Sequence, residues 1–220
     1  MFMLVCGVDE SGRGPLIGPL VMAGVLINEE DEIKLKQIGV TDSKLLNRTQ
    51  REDLFKKILG IAKDYKIISI TPDIIDEHLK SASSNLNILE AETTAEILNY
   101  LQPDKAVIDL PDKNQNRYQG YIKKHLNKEI QLITEHKADF NYPVCSAASI
   151  LAKVTRDRYI DFLKEKFGED FGSGYTSDEK TIKFLEKHWN NEQVNFFRRQ
   201  WASWKDVKKE KQQKRLFDYG

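Results

Sequence analysis

The chain turns on the stretch Gly7-Val8-Asp9-Glu10-Ser11-Gly12-Arg13-Gly14-Pro15, which an apolar run, Met3-Leu4-Val5-Cys6, enters directly. A run this short, bounded by glycines, reads as a buried strand rather than a helix. Alternation along a regular strand sends Asp9 and Glu10 to opposite sides. For both to serve one site the chain has to bend there, and Gly12 and Gly14 supply the backbone freedom for a bend. Two anions at the end of a buried strand are costly unless a cation or hydrogen bonds compensate them. An Asp-Glu pair is ordinarily a solvated acidic turn, but the strand leading into this one weakens that reading.

The remaining pattern is layered. Leu20-Val21-Met22-Ala23-Gly24-Val25-Leu26-Ile27 reads as a second buried strand, antiparallel to the first because the link through Gly18-Pro19 is short. A helix with a capping-box start at Asn47-Arg48-Thr49-Gln50 carries Leu54, Ile58 and Ile61 on one face. Tyr65–Ile70 is a third strand, and Leu86, Leu89, Thr93, Ile97 and Leu101 mark a long helix closed by Pro103. Strands at Ala106–Asp109 and Ile130–Ile133 alternate with further helical segments, the last strand preceding a helix with Ala147, Ile150, Leu151, Val154 and Phe162. Strands alternating with helices predict an α/β layered domain with a mixed sheet. A boundary is expected after residue 176, giving a layered domain over 1–176 and a helical C-terminal region with a basic tail over 177–220.

Composition limits the options. Acidic and basic residues balance at 34 each, so net charge does not announce a polyanion ligand. The basic residues nevertheless gather at Arg198, Arg199, Lys205, Lys208, Lys209, Lys211, Lys214 and Arg215. Cys6 and Cys145 lie in apolar or small-residue settings without metal-ligand spacing, which predicts buried free thiols. With no signal-like start and no apolar run near the ~20 residues that span a bilayer, a cytoplasmic protein without membrane contact is expected.

Acids end an apolar strand or begin a helix at three places: Asp9-Glu10, Asp109 and Asp139. Ligand sites of layered α/β folds collect at strand ends. Carboxylates without a His- or Cys-rich companion suit Mg²⁺ or Mn²⁺. Two such ions about 4 Å apart can activate a water and stabilise the leaving oxygen in phosphodiester hydrolysis. Singly, each acid is weak, and Asp139 reads equally as a helix N-cap.

Gly7-Val8-Asp9-Glu10-Ser11-Gly12-Arg13-Gly14 resembles the Asp-Glu-(Ala/Ser)-Gly-Arg-Gly signature of ribonuclease HII, and later landmarks agree in order. They are Thr41-Asp42-Ser43-Lys44-Leu45, Val107-Ile108-Asp109, His136-Lys137-Ala138-Asp139, the run from Ser146 to Asp157, and Gly172-Ser173-Gly174-Tyr175. The likeness spans Gly7 to about Trp189, and the compact form looks archaeal. It implies a ribonuclease H-like fold. It also implies a catalytic quartet, Asp9, Glu10, Asp109 and Asp139, holding two divalent ions at the scissile phosphate. The implied activity is cleavage of the RNA strand of RNA–DNA hybrids, and 5′ of single ribonucleotides embedded in duplex DNA, leaving 3′-hydroxyl and 5′-phosphate ends. By the same resemblance Gly12, Arg13 and Gly14 contact the 2′-hydroxyl, the group that distinguishes ribose from deoxyribose. Tyr175 then stacks on the following deoxyribose.

Lys44, Ser146, Ser149 and Lys153 are candidate phosphate contacts, although Lys153 and Arg156 read equally as a solvated helix face. His136 is expected to be a bystander. A non-catalytic relative would not favour acids near phosphates. The related ribonuclease HIII would carry an N-terminal extension before a strand that here begins at Met3. At the far end, Gln213, Leu216 and Tyr219 have the spacing of a sliding-clamp-binding peptide, with Gly220 in place of a second aromatic. A monomer is expected, with a sliding clamp and nucleic acid as partners.

Overall fold

The initial apolar runs form β1 (Leu4–Ser11) and β2 (Leu20–Asn28), antiparallel, with Val8 opposite Gly24 and Asp9 opposite Ala23. The computed structural model describes residues 3–40 and 46–218, with side chains as far as residue 213. The chain continues through α1 (Glu32–Gln37), α2 (Arg48–Ile61), β3 (Asp64–Ile70), α3 (Pro72–Lys80) and α4 (Leu86–Leu101). Then follow β4 (Lys105–Asp109), α5 (Gln115–Lys124), β5 (Gln131–Glu135), α6 (Ala138–Asn141), α7 (Pro143–Phe167), α8 (Glu179–His188) and α9 (Ala202–Asp218). Helix starts follow the local chemistry. Asn47 and Gln50 form the expected capping box, and Asn85 and Asp178 each accept a backbone N–H at the start of α4 and α8.

Among the described residues the sheet has five strands in the order β3-β2-β1-β4-β5. β1, β2 and β3 pair antiparallel, whereas β4 and β5 join parallel to β1 after helical crossovers. The layered, mixed-sheet expectation is met. β5 reaches Glu135, two residues past its sequence-predicted end.

Alternation divides the core in two. Val5, Val21, Val25 and Val107 bury against α7 through Val144, Ala147, Ala148 and Leu151. Cys6, Val8, Leu20, Met22 and Ile108 bury against α4 through Leu89, Ile97, Leu98 and Leu101. Each helix meets the sheet at a glycine. A Cβ on Gly7 would lie 2.2 Å from the Val144 carbonyl, and one on Gly24 would lie 2.3 Å from Ile97. These close approaches fix how deep each helix sits.

A third apolar cluster joins Leu16 and Ile17, after the β1 turn, to Ile160 and Leu163 of α7 and to Phe171, Phe184, Phe196 and Phe197. Described residues on both sides of position 176 therefore share this cluster. Cys6 and Cys145 are buried free thiols, as expected. No helix among the described residues is long and apolar enough to cross a membrane.

Candidate active site

β1 and β4 run parallel with Val8 beside Ile108, which places the next residues, Asp9 and Asp109, at neighbouring strand ends. One carboxylate oxygen from each of Asp9, Glu10 and Asp109 lies within 4.8 Å of the others. The bend expected between Asp9 and Glu10 is absent, because pairing with β2 continues through Ser11 opposite Val21. The acids meet for another reason. β1 runs past its last pairing with β4, so on that open side carboxylates from both faces reach one space, Glu10 with one methylene more than Asp9.

Asp139 arrives by a backbone bond. The Ala138 N–H donates to Asp109 Oδ1 at 2.8 Å, drawing the start of α6 to the end of β4. Asp139 is 6% exposed and lines the same cavity, of about 250 Å³, as Asp9, Glu10 and Asp109. The N-cap alternative fails, because Lys137 holds the N-cap of α6 at φ 60°.

The electrostatics show what this convergence costs. Burial, then Glu10 and Asp109, push the Asp9 carboxyl well above the usual carboxylate range. The Ser149 hydroxyl and the Glu10 N–H, at 2.7 Å, partly offset that. Glu10 is pushed up to about 8 by burial and by Glu90 and Asp109, with Arg13 opposing. The donors are all carboxylates, crowded and mutually repelling. Such a set fits a hard divalent cation of the Mg²⁺ or Mn²⁺ kind, which restores the ionised forms.

The wall beside the acids is made of two turns. Gly12 (φ 88°) and Gly174 (φ 82°) take conformations that favour glycine. Leu16 and Ile17 N–H groups both donate to the Gly174 carbonyl, at 2.9 and 3.2 Å, joining the turns. Gly12, Arg13, Gly14 and Tyr175 line the cavity, and the Arg156 guanidinium lies over the Tyr175 ring at 5.2 Å. The Arg13 side chain is occupied internally, by Glu90 at 2.8 Å and Asn87 at 2.7 Å.

The other candidates divide. Ser149 and Lys153 line the cavity, Lys153 with its ammonium on Asp157 at 2.6 Å. Ser146, 1% exposed, is not among the lining residues. His136 bonds the Leu110 carbonyl and also stays off the lining. Lys44 lies outside the described residues. Gln213 is exposed on α9, whose backbone includes Leu216; Tyr219 lies outside the described residues.

Two buried residues, Glu90 and Arg198, were missed, and Arg156 was singled out without a reason to expect burial. Glu90 carried a signal, since it sits among Leu86, Leu89, Thr93 and Ile97 on the apolar side of α4, where an acid needs a partner. Arg156 is 1% exposed, against the solvated-face alternative. Arg198, fully buried, was hidden in a basic run whose other members gave no reason to single it out.

A family model described as ribonuclease HII matches residues 6–204. Ribonuclease HII of Pyrococcus furiosus is 48% identical over 205 residues, covering 91% of this chain and 89% of that protein. The crystal structure of the ribonuclease H2 from Pyrococcus horikoshii OT3 superposes with a TM-score of 0.86 at 44% identity, covering 94% and 98% of the two chains. The structure of the PCNA:RNase HII complex from Archaeoglobus fulgidus gives 0.82 at 39%, covering 91% and 96%.

Proposed function

The chain belongs to the ribonuclease HII family, and from that premise we propose that this cleft also cleaves 5′ of a single ribonucleotide embedded in duplex DNA. Hydrolysis of the RNA strand of RNA–DNA hybrids, dependent on a divalent metal, is the activity that comes with the family. The observation that carries the finer reading is one cavity. It is lined by Asp9, Glu10, Asp109 and Asp139 together with Gly12, Arg13, Gly14 and Tyr175, acids for hydrolysis beside a turn and a ring suited to a sugar.

Asp9, Glu10, Asp109 and Asp139 are the residues to hold two Mg²⁺ or Mn²⁺ ions. When bound, these ions supply an activated water and positive charge at the leaving oxygen. The chain does the rest. The Ser149 hydroxyl orients Asp9, and Asp109 fixes α6 through the Ala138 N–H. The backbone of Gly12-Arg13-Gly14 approaches the ribose 2′-hydroxyl, and the Tyr175 ring, backed by the Arg156 cation, takes the next sugar. Products carry 3′-hydroxyl and 5′-phosphate ends.

The test is incubation with Mg²⁺ and DNA duplexes that carry one, four or no ribonucleotides. Cleavage confined to the ribonucleotide-containing strands, 5′ of the lone ribonucleotide in the first, supports the proposal. Cleavage of the all-DNA control, or none of the single-ribonucleotide duplex, refutes it.

A sliding clamp is the partner proposed for the tail, through Gln213, Leu216 and Tyr219. The PCNA complex of the Archaeoglobus relative favours it. Deleting residues 213–220 should weaken clamp binding at least tenfold in a surface-based binding assay; unchanged affinity sinks the idea.

A further inference from the structure

We propose that Arg198 and Trp201, from the C-terminal segment, are positioning residues for the Gly12-Arg13-Gly14 turn, and that their grip sets how sharply a lone ribose is read. The inference rests on the reading of that turn as the ribose contact. The Arg198 guanidinium donates through Nε to the Gly18 carbonyl at 3.0 Å, through Nη1 to that of Arg13 at 2.9 Å, and through Nη2 to that of Gly12. Trp201 Nε1 donates to the Gly14 carbonyl at 3.0 Å, and the guanidinium stacks over the indole at 4.9 Å. Three consecutive carbonyls are thus held from behind by side chains some 185 residues further along.

The consequence follows from peptide geometry. The described peptide bonds include no cis bond, and across a trans peptide a carbonyl and the next N–H point in opposite directions. With the Gly12 and Arg13 carbonyls turned to Arg198, the N–H groups of Arg13 and Gly14 turn the other way. Gly12, Arg13 and Gly14 line the cavity and Arg198 does not, so that other way is toward the cavity. Two successive N–H groups on one side form a donor pair for a hydroxyl or phosphate oxygen. The grip is itself anchored. Arg198 N–H donates to the Leu16 carbonyl at 2.9 Å, and Asp76 of α3 accepts the N–H groups of Arg199 and Gln200 at 2.7 and 3.0 Å.

A planar fork reaches several carbonyls at once, which a lysine ammonium does not reproduce. A loosened turn handicaps a single ribose most, since there is only one register in which it is read. A run of ribonucleotides offers several. Trp201→Phe keeps the ring and removes one donor; Arg198→Lys keeps the charge and removes the fork. Both are assayed with Mg²⁺ for kcat and KM on duplexes with one and with four ribonucleotides, beside thermal unfolding. The expected result is a fall in kcat/KM on the single-ribonucleotide duplex of about tenfold or more relative to the four-ribonucleotide duplex, with Trp201→Phe still unfolding cooperatively well above the assay temperature. Equal losses on both duplexes, or no loss, in Trp201→Phe overturn the proposal, and that variant decides if Arg198→Lys fails to fold. A wild-type protein that does not cleave the single-ribonucleotide duplex refutes the proposed function instead.

Discussion

At the scale of single residues the centre is a charge problem. Asp109 accepts the Ala138 N–H through Oδ1 and adds a negative charge to the cluster. Asparagine keeps the acceptor and deletes the charge. Asp109→Asn should therefore fold and still bind a hybrid, measured by fluorescence anisotropy, while hydrolysis falls about a thousandfold or more. Protonation gives a second prediction. Burial and the neighbouring acids push Glu10 up to about 8 from an ordinary 4.5, and Asp9 is raised as well. Between those values the folded chain holds protons that the unfolded chain has released, so stability falls as pH rises. The metal-free protein should lose unfolding temperature from about pH 5 to pH 8, a loss that Glu10→Gln reduces. Added Mn²⁺ should raise the unfolding temperature more at pH 8 than at pH 6, because binding displaces those protons. A metal-free unfolding temperature that climbs over this interval contradicts the account.

At the scale of elements, the site depends on how closely α7 lies on β1. Gly7 permits that approach, and four residues after Cys145, which bonds the Val8 carbonyl at 3.3 Å, α7 brings the Ser149 hydroxyl to Asp9. Gly7→Ala should cost about 1–3 kcal/mol in urea unfolding and lower kcat by displacing Ser149 from Asp9. Gly60, inside α2 with open space around its Cβ position, is the contrast. Gly60→Ala should be neutral or stabilise by up to about 1 kcal/mol. The elements themselves were legible: both opening strands, the capping box at Asn47 and the long helix ended near Pro103 follow from spacing and chemistry close in sequence. The route by which Asp9 and Glu10 share a site was not. It depends on where β4 stops beside β1, which strand alternation within β1 does not encode.

At the scale of the whole molecule, the C-terminal segment closes on the turn that begins the chain. The aromatic cluster places it, and Arg198 and Trp201 fasten it. Beyond the fastening point Lys80 of α3 and Arg199, Lys205, Lys208 and Lys209 line one open basic cleft with Trp204. If duplex phosphates lie there, log K for a hybrid should fall steeply with log salt. Replacing Lys205, Lys208 and Lys209 by alanine should reduce that slope by about 2–3, measured by anisotropy between low and physiological salt. An unchanged slope places the phosphates elsewhere.

The sequence by itself determined the five strands and the longer helices, the four acids, the Gly-Arg-Gly and Gly-Ser-Gly-Tyr turns and the resemblance that unites them, because each is a local pattern with a local physical cause. Only the tertiary structure decided that Glu90 and Asn87 occupy the Arg13 side chain, that Arg156 is buried behind Tyr175, and that Arg198 holds the Gly12 turn from the far end of the chain. A buried cation and a solvated one are the same letter. Which of them a residue becomes depends on the carbonyls that folding brings to it, and those of Ile17 for Arg156 and of Arg13 for Arg198 lie well over a hundred residues away in sequence.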